Sequence, residues 1–400
     1  MPTSISPADF FIPPAGVASA IDAVVDRALQ RQRLVGAVVL VARDGQTIYR
    51  RAAGLADREA DRPMTEDALF RLASVSKPIV STAALVLVGQ GRLGLDDAVD
   101  HWLPRFRPAL PDRTPTRLTV RQLLTHTAGL GYRFLEADRT GPLARAGVSD
   151  GLDGTRLTLA ENLHRIAGVP LIYEPGTAWG YSLATDVLGG VIERVTGQAL
   201  PEAVRTLVTA PLGLHDTGFH AIDAQRLTAA YVNDDPAPRL LRAGETVTPF
   251  EGAVGIEFDP ARALDPTAFP SGGAGMVGSA GDFLQLLETL RTGGGPLLPP
   301  ALVAEMGRNQ TGDKGPPDAP GAGFGLGFSV LHDPQAASSP ESAGTWRWGG
   351  AYGHSWFVDP RRRLSVVAFT NTLYEGMSGE FVRALRDAVY AGLGRTEEIS

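Results

Sequence analysis

Apolar and polar positions along this chain alternate between two periods. Across residues 17–32 the apolar side chains fall at Val17, Ile21, Val24, Val25 and Leu29, close to helical spacing. Ala37-Val38-Val39-Leu40-Val41-Ala42 is instead an unbroken apolar run, the pattern of a buried strand. Arg43-Asp44-Gly45-Gln46 reads as a turn and residues 47–53 as the returning strand, so the pair predicts a hairpin. Residues 79–88 are mostly apolar and predict a buried helix that begins at about Ser74 or Val75, with Pro78 tolerated in its first turn. Residues 93–105 and 118–126 read as helices separated by a loop carrying Pro104, Pro108, Pro111 and Pro115. Residues 131–156 are rich in Gly, Asp and Arg without a period, which predicts a long loop. Helical spacing returns at 159–167, at 183–196 with Gly197 as its stop, at 201–208 and at 279–292, while 221–270 reads as irregular. The last hundred residues turn β-rich, with strands at 324–331, 344–348, 354–358 and 364–370, and an amphipathic helix closes the chain at 379–393.

The predicted class is α/β of the α+β kind. Both ends of the chain join into one antiparallel sheet flanked by the N- and C-terminal helices, with a mostly helical middle inserted. The expected division is residues 1–84 and 250–400 for the sheet part and 85–249 for a mainly helical part with long loops. The active site is expected in the cleft between them.

Composition narrows the function. The chain has 400 residues, 44% hydrophobic and 20% charged, which is ordinary for a globular protein. A net charge of −7 without a long single-sign run argues against nucleic acid or a polybasic membrane anchor. The absence of cysteine excludes a disulfide framework, a thiol nucleophile and thiolate metal centres. Seven histidines show no metal-ligand spacing, so neither metal nor other cofactor is expected. No apolar run is long enough to span a membrane. Residues 1–14 carry Asp9 and no Lys or Arg, unlike a signal peptide, so a cytoplasmic location is expected.

The candidate chemistry begins at Ser74-Val75-Ser76-Lys77. A spacing of three places both side chains on one helical face, and a serine hydroxyl needs a nearby base to become a nucleophile. By itself the pattern also fits a capping serine followed by a surface lysine. A proton relay and an oxyanion hole are still needed. Tyr181, in Trp179-Gly180-Tyr181-Ser182-Leu183 ahead of a helix, is the relay candidate; the alternative is a half-buried aromatic at a helix start. In Trp348-Gly349-Gly350-Ala351-Tyr352-Gly353-His354, the glycines let backbone approach a ligand, and the amides of Ser74 and Ala351 are oxyanion-hole candidates. A plain bend at a strand end is the alternative.

Taken in order, Ser74-x-x-Lys77, Tyr181-Ser182 and Trp348-Gly349-Gly350 resemble the three motifs of the serine β-lactamase and penicillin-binding-protein fold, in its class C branch. Leu123-Leu124-Thr125-His126-Thr127-Ala128-Gly129-Leu130, the stretch Gly272-Gly273-Ala274-Gly275-Met276-Val277-Gly278-Ser279 and Phe324-Gly325-Leu326-Gly327-Phe328 resemble further segments of that superfamily. The likeness runs from about Ile21 to Leu393 and points to the family VIII carboxylesterases. It implies a β-lactamase/transpeptidase-like fold and hydrolysis of short-acyl esters through an acyl-enzyme on Ser74. Lys77 and Tyr181 would share the proton, with no cofactor and a small-molecule ester as the partner. Two departures matter. Leu183 stands where class C β-lactamases have Asn, and Trp348 where they have Lys. An anionic lactam loses a charge-assisted contact there, and an uncharged ester loses nothing. The pocket is expected to include Trp348, Gly349, Gly350, Tyr132, Leu183 and His354. A β-lactamase or D-amino-acid peptidase, and a non-catalytic penicillin-binding module, are the competing readings.

Two other motifs are set aside. Gly147-Val148-Ser149-Asp150-Gly151 matches a lipase elbow but lacks the preceding apolar strand and following helix. The Gly-x-Gly-x-x-Gly at 273–278 follows Phe269-Pro270-Ser271 and no βαβ unit. His126 is expected to be structural, its ring bonded to nearby backbone, and Asn309 would be a glycosylation site only in a secreted chain.

Overall fold

The structure is a computed structural model that describes residues 15–394; residues 1–14, on which the cytoplasmic expectation rests, lie outside the described residues. Its centre is an eight-stranded antiparallel sheet. Across the sheet run Ala322–Phe324, Ser329–Leu331, Thr345–Gly350, His354–Asp359, Leu364–Thr370, Gly36–Arg43, Gln46–Asp57 and Arg62–Pro63. The two chain ends meet where Gly36–Arg43 pairs with Leu364–Thr370, with Val39 opposite Ala368 and Leu40 opposite Val367.

The apolar run of the first strand is explained by burial on both faces. Val38, Leu40 and Ala42 enter the main core, while Ala37, Val39 and Val41 pack in a second core under the helices Ala15–Gln30 and Glu380–Gly392. Those helices cross closely: a Cβ on Gly392 would lie 2.6 Å from the Cα of Val17. The main core is continuous, joining the sheet to the helices Ser76–Gly89, Ala184–Thr196 and Ala280–Arg291. Every residue from Ser76 to Leu87 is buried, so the central helix is enclosed on all sides, with no solvent-facing polar stripe.

Several expected elements differ. The helix expected at 93–105 shrinks to Val99–Trp102, because Gly94 and Asp97 close a turn instead and Pro104 follows. The helix at 118–126 is only Val120–Leu124, started by a capping box between Thr119 and Gln122. The strand expected at 324–331 is a tight hairpin of two strands, turned through Gly327 at φ +109°. Residues 201–208 run through Leu200–Val204 into a π-helical stretch, Arg205–Thr209. The irregular region 221–270 contains the short pairs Tyr231–Val232 with Arg239–Leu240 and Glu245–Val247 with Ile256–Phe258. Sequence reasoning also missed a two-stranded pairing of Leu69–Arg71 with Val277–Ser279, which sets the approach to Ser74. Both strands are only three residues long, too short to show a period. Among the described residues no helix is long and apolar enough to cross a membrane.

Candidate active site

Leu69–Arg71 delivers the chain into a single 3₁₀ turn, Ala73–Val75, and the α-helix proper starts at Ser76. Ser74 therefore lies on the turn before the helix rather than in its first α-turn. Ala73 takes φ +46°, a left-handed conformation costly for a residue with a Cβ and common where the surroundings fix a functional group. Ser74 is half-buried. Its oxygen accepts hydrogen bonds from the Tyr181 hydroxyl at 2.5 Å and from the Lys77 ammonium at 3.2 Å. Lys77 is fully buried and also donates to the carbonyl of Gly273 at 2.8 Å. Its Nζ stands 4.6 Å from the ring centre of Tyr181 and 5.4 Å from that of Tyr132. A lysine one turn away and a tyrosine from a distant segment thus meet at one hydroxyl.

Tyr181 is held by its neighbours. The Gly180 amide donates to the His126 carbonyl at 2.9 Å, and His126 Nδ1 lies 3.1 Å from the Ser182 hydroxyl. The His126 ring also packs 5.1 Å from that of Tyr181. Burial, and then the Lys77 charge, hold the His126 imidazole well below its usual protonation range, so it stays neutral. Its role is to brace the tyrosine segment, through a serine hydroxyl and not the backbone contact expected for its ring.

The Trp348-Gly349-Gly350 strand end reaches the same place. A Cβ on Gly350 would lie 2.4 Å from the Leu72 carbonyl, and one on Gly349 2.7 Å from the His354 carbonyl. The glycines thus serve close approach to the protein's own backbone beside the Ser74 turn, and Ala351 follows directly. Trp348 is half-buried and packs 5.3 Å from the Tyr181 ring and edge-on to Phe324 at 5.2 Å. Trp179 lies nearly parallel to Tyr181 and touches Phe324, completing an aromatic wall. Sequence reasoning quoted Trp179 and Phe324 inside motifs without giving them a place in the pocket. Nothing in their spacing shows that a hairpin near residue 324 folds back on residue 179.

Three expected pocket residues are placed otherwise. His354 is fully buried between Phe70 and Phe369, with Nε2 on the Arg71 carbonyl at 2.8 Å. Burial lowers it to about 4, so it is a neutral latch beneath the Ser74 turn and not a cleft wall. The β pleat decides this: Gly350 pairs with His354, and the side chain falls on the core side. Leu183 is fully buried ahead of the helix Ala184–Thr196, in the core and not at the cleft surface. Tyr132 is buried behind Tyr181, ring centres 5.0 Å apart, so it backs the site. Burial above all, then the nearby Tyr181, Asp186 and Asp150, keeps its phenol protonated.

One residue at the site was missed altogether. Asp186 is fully buried, and no hydrogen bond of ordinary geometry reaches either carboxylate oxygen. Burial raises its pKa above the usual carboxylate value, opposed by the Ser271 hydroxyl, the Lys77 charge and the Gly273 amide. Its signal was an acidic residue three positions after Leu183 on an otherwise apolar helix face.

Ser149 makes no hydrogen bond to this cluster. It is buried in the loop, its hydroxyl donating to Asp153 at 2.9 Å and accepting from the Gly151 amide at 3.1 Å. It helps line a cavity of about 350 Å³ with Arg133, Asp153, Glu257 and Asp259, and no lysine, histidine or tyrosine is there. Of the glycines at 272–278, Gly273 meets Lys77 through its carbonyl, and the stretch leads into the short strand Val277–Ser279. Among the described residues no group of acidic, histidine or cysteine side chains is arranged to hold a metal.

The family described as beta-lactamase matches residues 21–391. The chain is 52% identical over 389 residues to Esterase EstB of Burkholderia gladioli, covering 97% of this chain and 99% of that one. Among solved structures, EstCE1, a hydrolase with promiscuous acyltransferase activity, superposes with a TM-score of 0.90 at 47% identity, over 94% of this chain and 99% of that one. A D-amino acid amidase from Ochrobactrum anthropi, at 22% identity and a TM-score of 0.68 over 93% and 98% of the two chains, shares the fold.

Proposed function

The chain belongs to the beta-lactamase family and is a carboxylic ester hydrolase within it; from that premise we propose that Ser74 is its nucleophile and that short-acyl esters are its substrates. The observation that carries the assignment is the Ser74 oxygen held at once by Tyr181 and Lys77. In the proposed cycle the Ser74 oxygen attacks the ester carbonyl and its proton passes to the Lys77–Tyr181 pair. Both groups contact the same oxygen, so the proton is assigned to the pair and not to one member. The amides of Ser74 and Ala351 receive the oxyanion. Collapse breaks the bond to the alcohol oxygen, and the pair returns the proton to the departing alkoxide. Water then attacks the acyl-Ser74, giving its proton to the pair, and Ser74 leaves reprotonated with the free acid released. The site lies in a cleft between the parts proposed as 1–84 with 250–400 and as 85–249.

The aromatic wall of Trp348, Phe324 and Trp179 supports an uncharged ester over an anionic lactam, because it offers apolar surface where a lactam carboxylate would need a cation. Intact-mass spectrometry after a rapid acid quench with an activated short-chain ester tests the assignment. The expected result is one acyl group on the Ser74 peptide, ester turnover far above that of a chromogenic cephalosporin, and rates that fall as the acyl chain lengthens. Acyl on Ser149, or cephalosporin turnover equal to ester turnover, overturns it.

A further inference from the structure

Lys77 raises a problem of charge. It is fully buried, and a buried ammonium is costly unless an anion lies near. It has three N–H donors, and two go to Ser74 Oγ and the Gly273 carbonyl, both uncharged. Leu183, at the position where class C relatives by resemblance have an amide, is apolar and offers nothing.

A point above Gly273 shows what does. A Cβ there would lie 2.8 Å from Asp186 Oδ2, 3.2 Å from the Tyr132 hydroxyl oxygen and 3.4 Å from Lys77 Nζ. Three polar atoms from three separate segments therefore converge on one α-carbon. The Asp186 oxygen and the Lys77 nitrogen are then no more than about 6 Å apart, within the range where opposite charges shift each other's protonation. The absence of a side chain at residue 273 keeps this space open. No conformational need explains that glycine, since its φ is not in the left-handed region. Asp186 meanwhile sits fully buried, with the Ser271 hydroxyl and the Gly273 amide close by but no hydrogen bond of ordinary geometry to either oxygen. A carboxylate left so, in a helix otherwise apolar on that face, is destabilising unless the neighbouring cation uses it.

We propose that Asp186 is a positioning residue for Lys77, its buried carboxylate supplying the negative charge that holds the ammonium beside Ser74 and Gly273. It rests on the reading of Ser74, Lys77 and Tyr181 as the reacting set. The titratable and charged groups facing this node are Lys77 from the central helix, Tyr132 and Tyr181 from the loops, His126 behind Tyr181, Arg262, whose charge acts on Asp186, and Asp150, whose charge acts on Tyr132; Asp150→Asn, run as a control, separates its own titration from the limb. The sign follows from the charge. The active free enzyme has one proton fewer on the Lys77–Tyr181 pair than the fully protonated form. A nearby anion opposes loss of that proton, whichever member gives it up. Removing the anion makes the loss easier and moves the acid limb of the profile to lower pH.

The experiment is the pH dependence of kcat/KM for an activated short-chain ester with Asp186→Asn, which keeps volume and removes charge, and with Gly273→Ala, whose methyl forces the two groups apart. Both variants are expected to lower the acid limb by about one pH unit, the small end of the effect of an opposite charge at this range. Circular dichroism confirms folding of each. If Asp186→Asn does not fold, the Gly273→Ala profile decides alone; should neither fold, a node that holds the fold and not the proton is the outcome, and the proposal fails. An unmoved limb in a folded variant also overturns it, even where kcat falls, because a purely structural loss lowers the rate without moving the profile. Ser74→Ala, run beside them, separates the two levels. Full activity there defeats the reacting set itself, whereas a dead Ser74→Ala with an unmoved Asp186→Asn limb defeats only the role of Asp186.

Discussion

Two serines in this chain sit in patterns that catalytic serines use, and their surroundings are opposites. Ser74 is half-exposed on a strained turn, and two donors able to carry a proton, Lys77 and Tyr181, converge on its oxygen. Ser149 is buried in a loop, and its hydroxyl bridges Asp153 and the Gly151 amide as part of that loop's internal scaffold. The Ser149 loop has an acidic companion as well. Asp150 accepts the amides of Arg133 and Phe134, and burial, against the pull of Arg133, raises it to about 7. The pair teaches that a nucleophile is made by what can take its proton, not by its flanking residues or by a neighbouring cavity alone. Ser149 has a carboxylate and a cavity beside it and still lacks the relay.

That contrast is open to direct challenge. Ser74→Ala is expected to lower kcat/KM for an activated acetate ester by ~10⁴-fold or more, as removal of a nucleophile does. A comparable loss in Ser149→Ala would erase the distinction. Tyr181→Phe removes the hydroxyl but keeps the ring against His126 and Trp348. Its kcat should fall roughly 10²–10⁴-fold with the melting temperature nearly unchanged, the usual range for a lost proton carrier. Equal activity in the variant would assign the whole relay to Lys77.

The third challenge concerns the loop. Asp150 binds its proton more tightly folded, at about 7, than unfolded, near 3.8. Its contribution to stability is therefore fully present below the unfolded value and is lost as pH rises through about 7. Denaturant unfolding at pH 5, 6, 7 and 8 should show wild type losing stability relative to Asp150→Asn by up to about 1.4 kcal/mol per pH unit across that window. Parallel curves would mean that Asp150 is already ionised in the folded loop at pH 5. The smallest effect belongs to Ser149→Ala, which leaves Asp153 and the Gly151 amide short of a partner. It should cost about 1–3 kcal/mol of stability and change kcat/KM by less than about twofold.

Much of the fold was legible along the chain, for a reason each element shows. The apolar run at 37–42 and the β-rich last hundred residues predicted one sheet built from both ends, and Val39 does face Ala368. Long periodic segments, such as Leu159–Ala167 and Ala184–Thr196, were recovered nearly to the residue, since fixed spacing and stop residues define them locally. Elements of two or three residues were not, because a strand such as Val277–Ser279 exists only through its partner. The same rule divides the site. Ser74, Lys77 and Tyr181 were nameable because their reactive types recur in ordered motifs. Asp186 was not, because its meaning depends on a lysine and a glycine from other segments.

By itself the sequence determined the class of fold, the order of its elements and the identity of a nucleophile candidate with its two proton partners. Periodicity and motif order are properties of the chain, and they survive in one dimension. Only the tertiary structure decided which side of each strand and helix those residues face. It turned His354 into the core as a neutral latch and sealed Leu183 away from the cleft. It used the Gly349-Gly350 pair for close approach to Leu72, and it brought Asp186 to Lys77 across the α-carbon of Gly273. Burial and distance set protonation and access, and neither quantity exists until segments far apart in the chain are packed together.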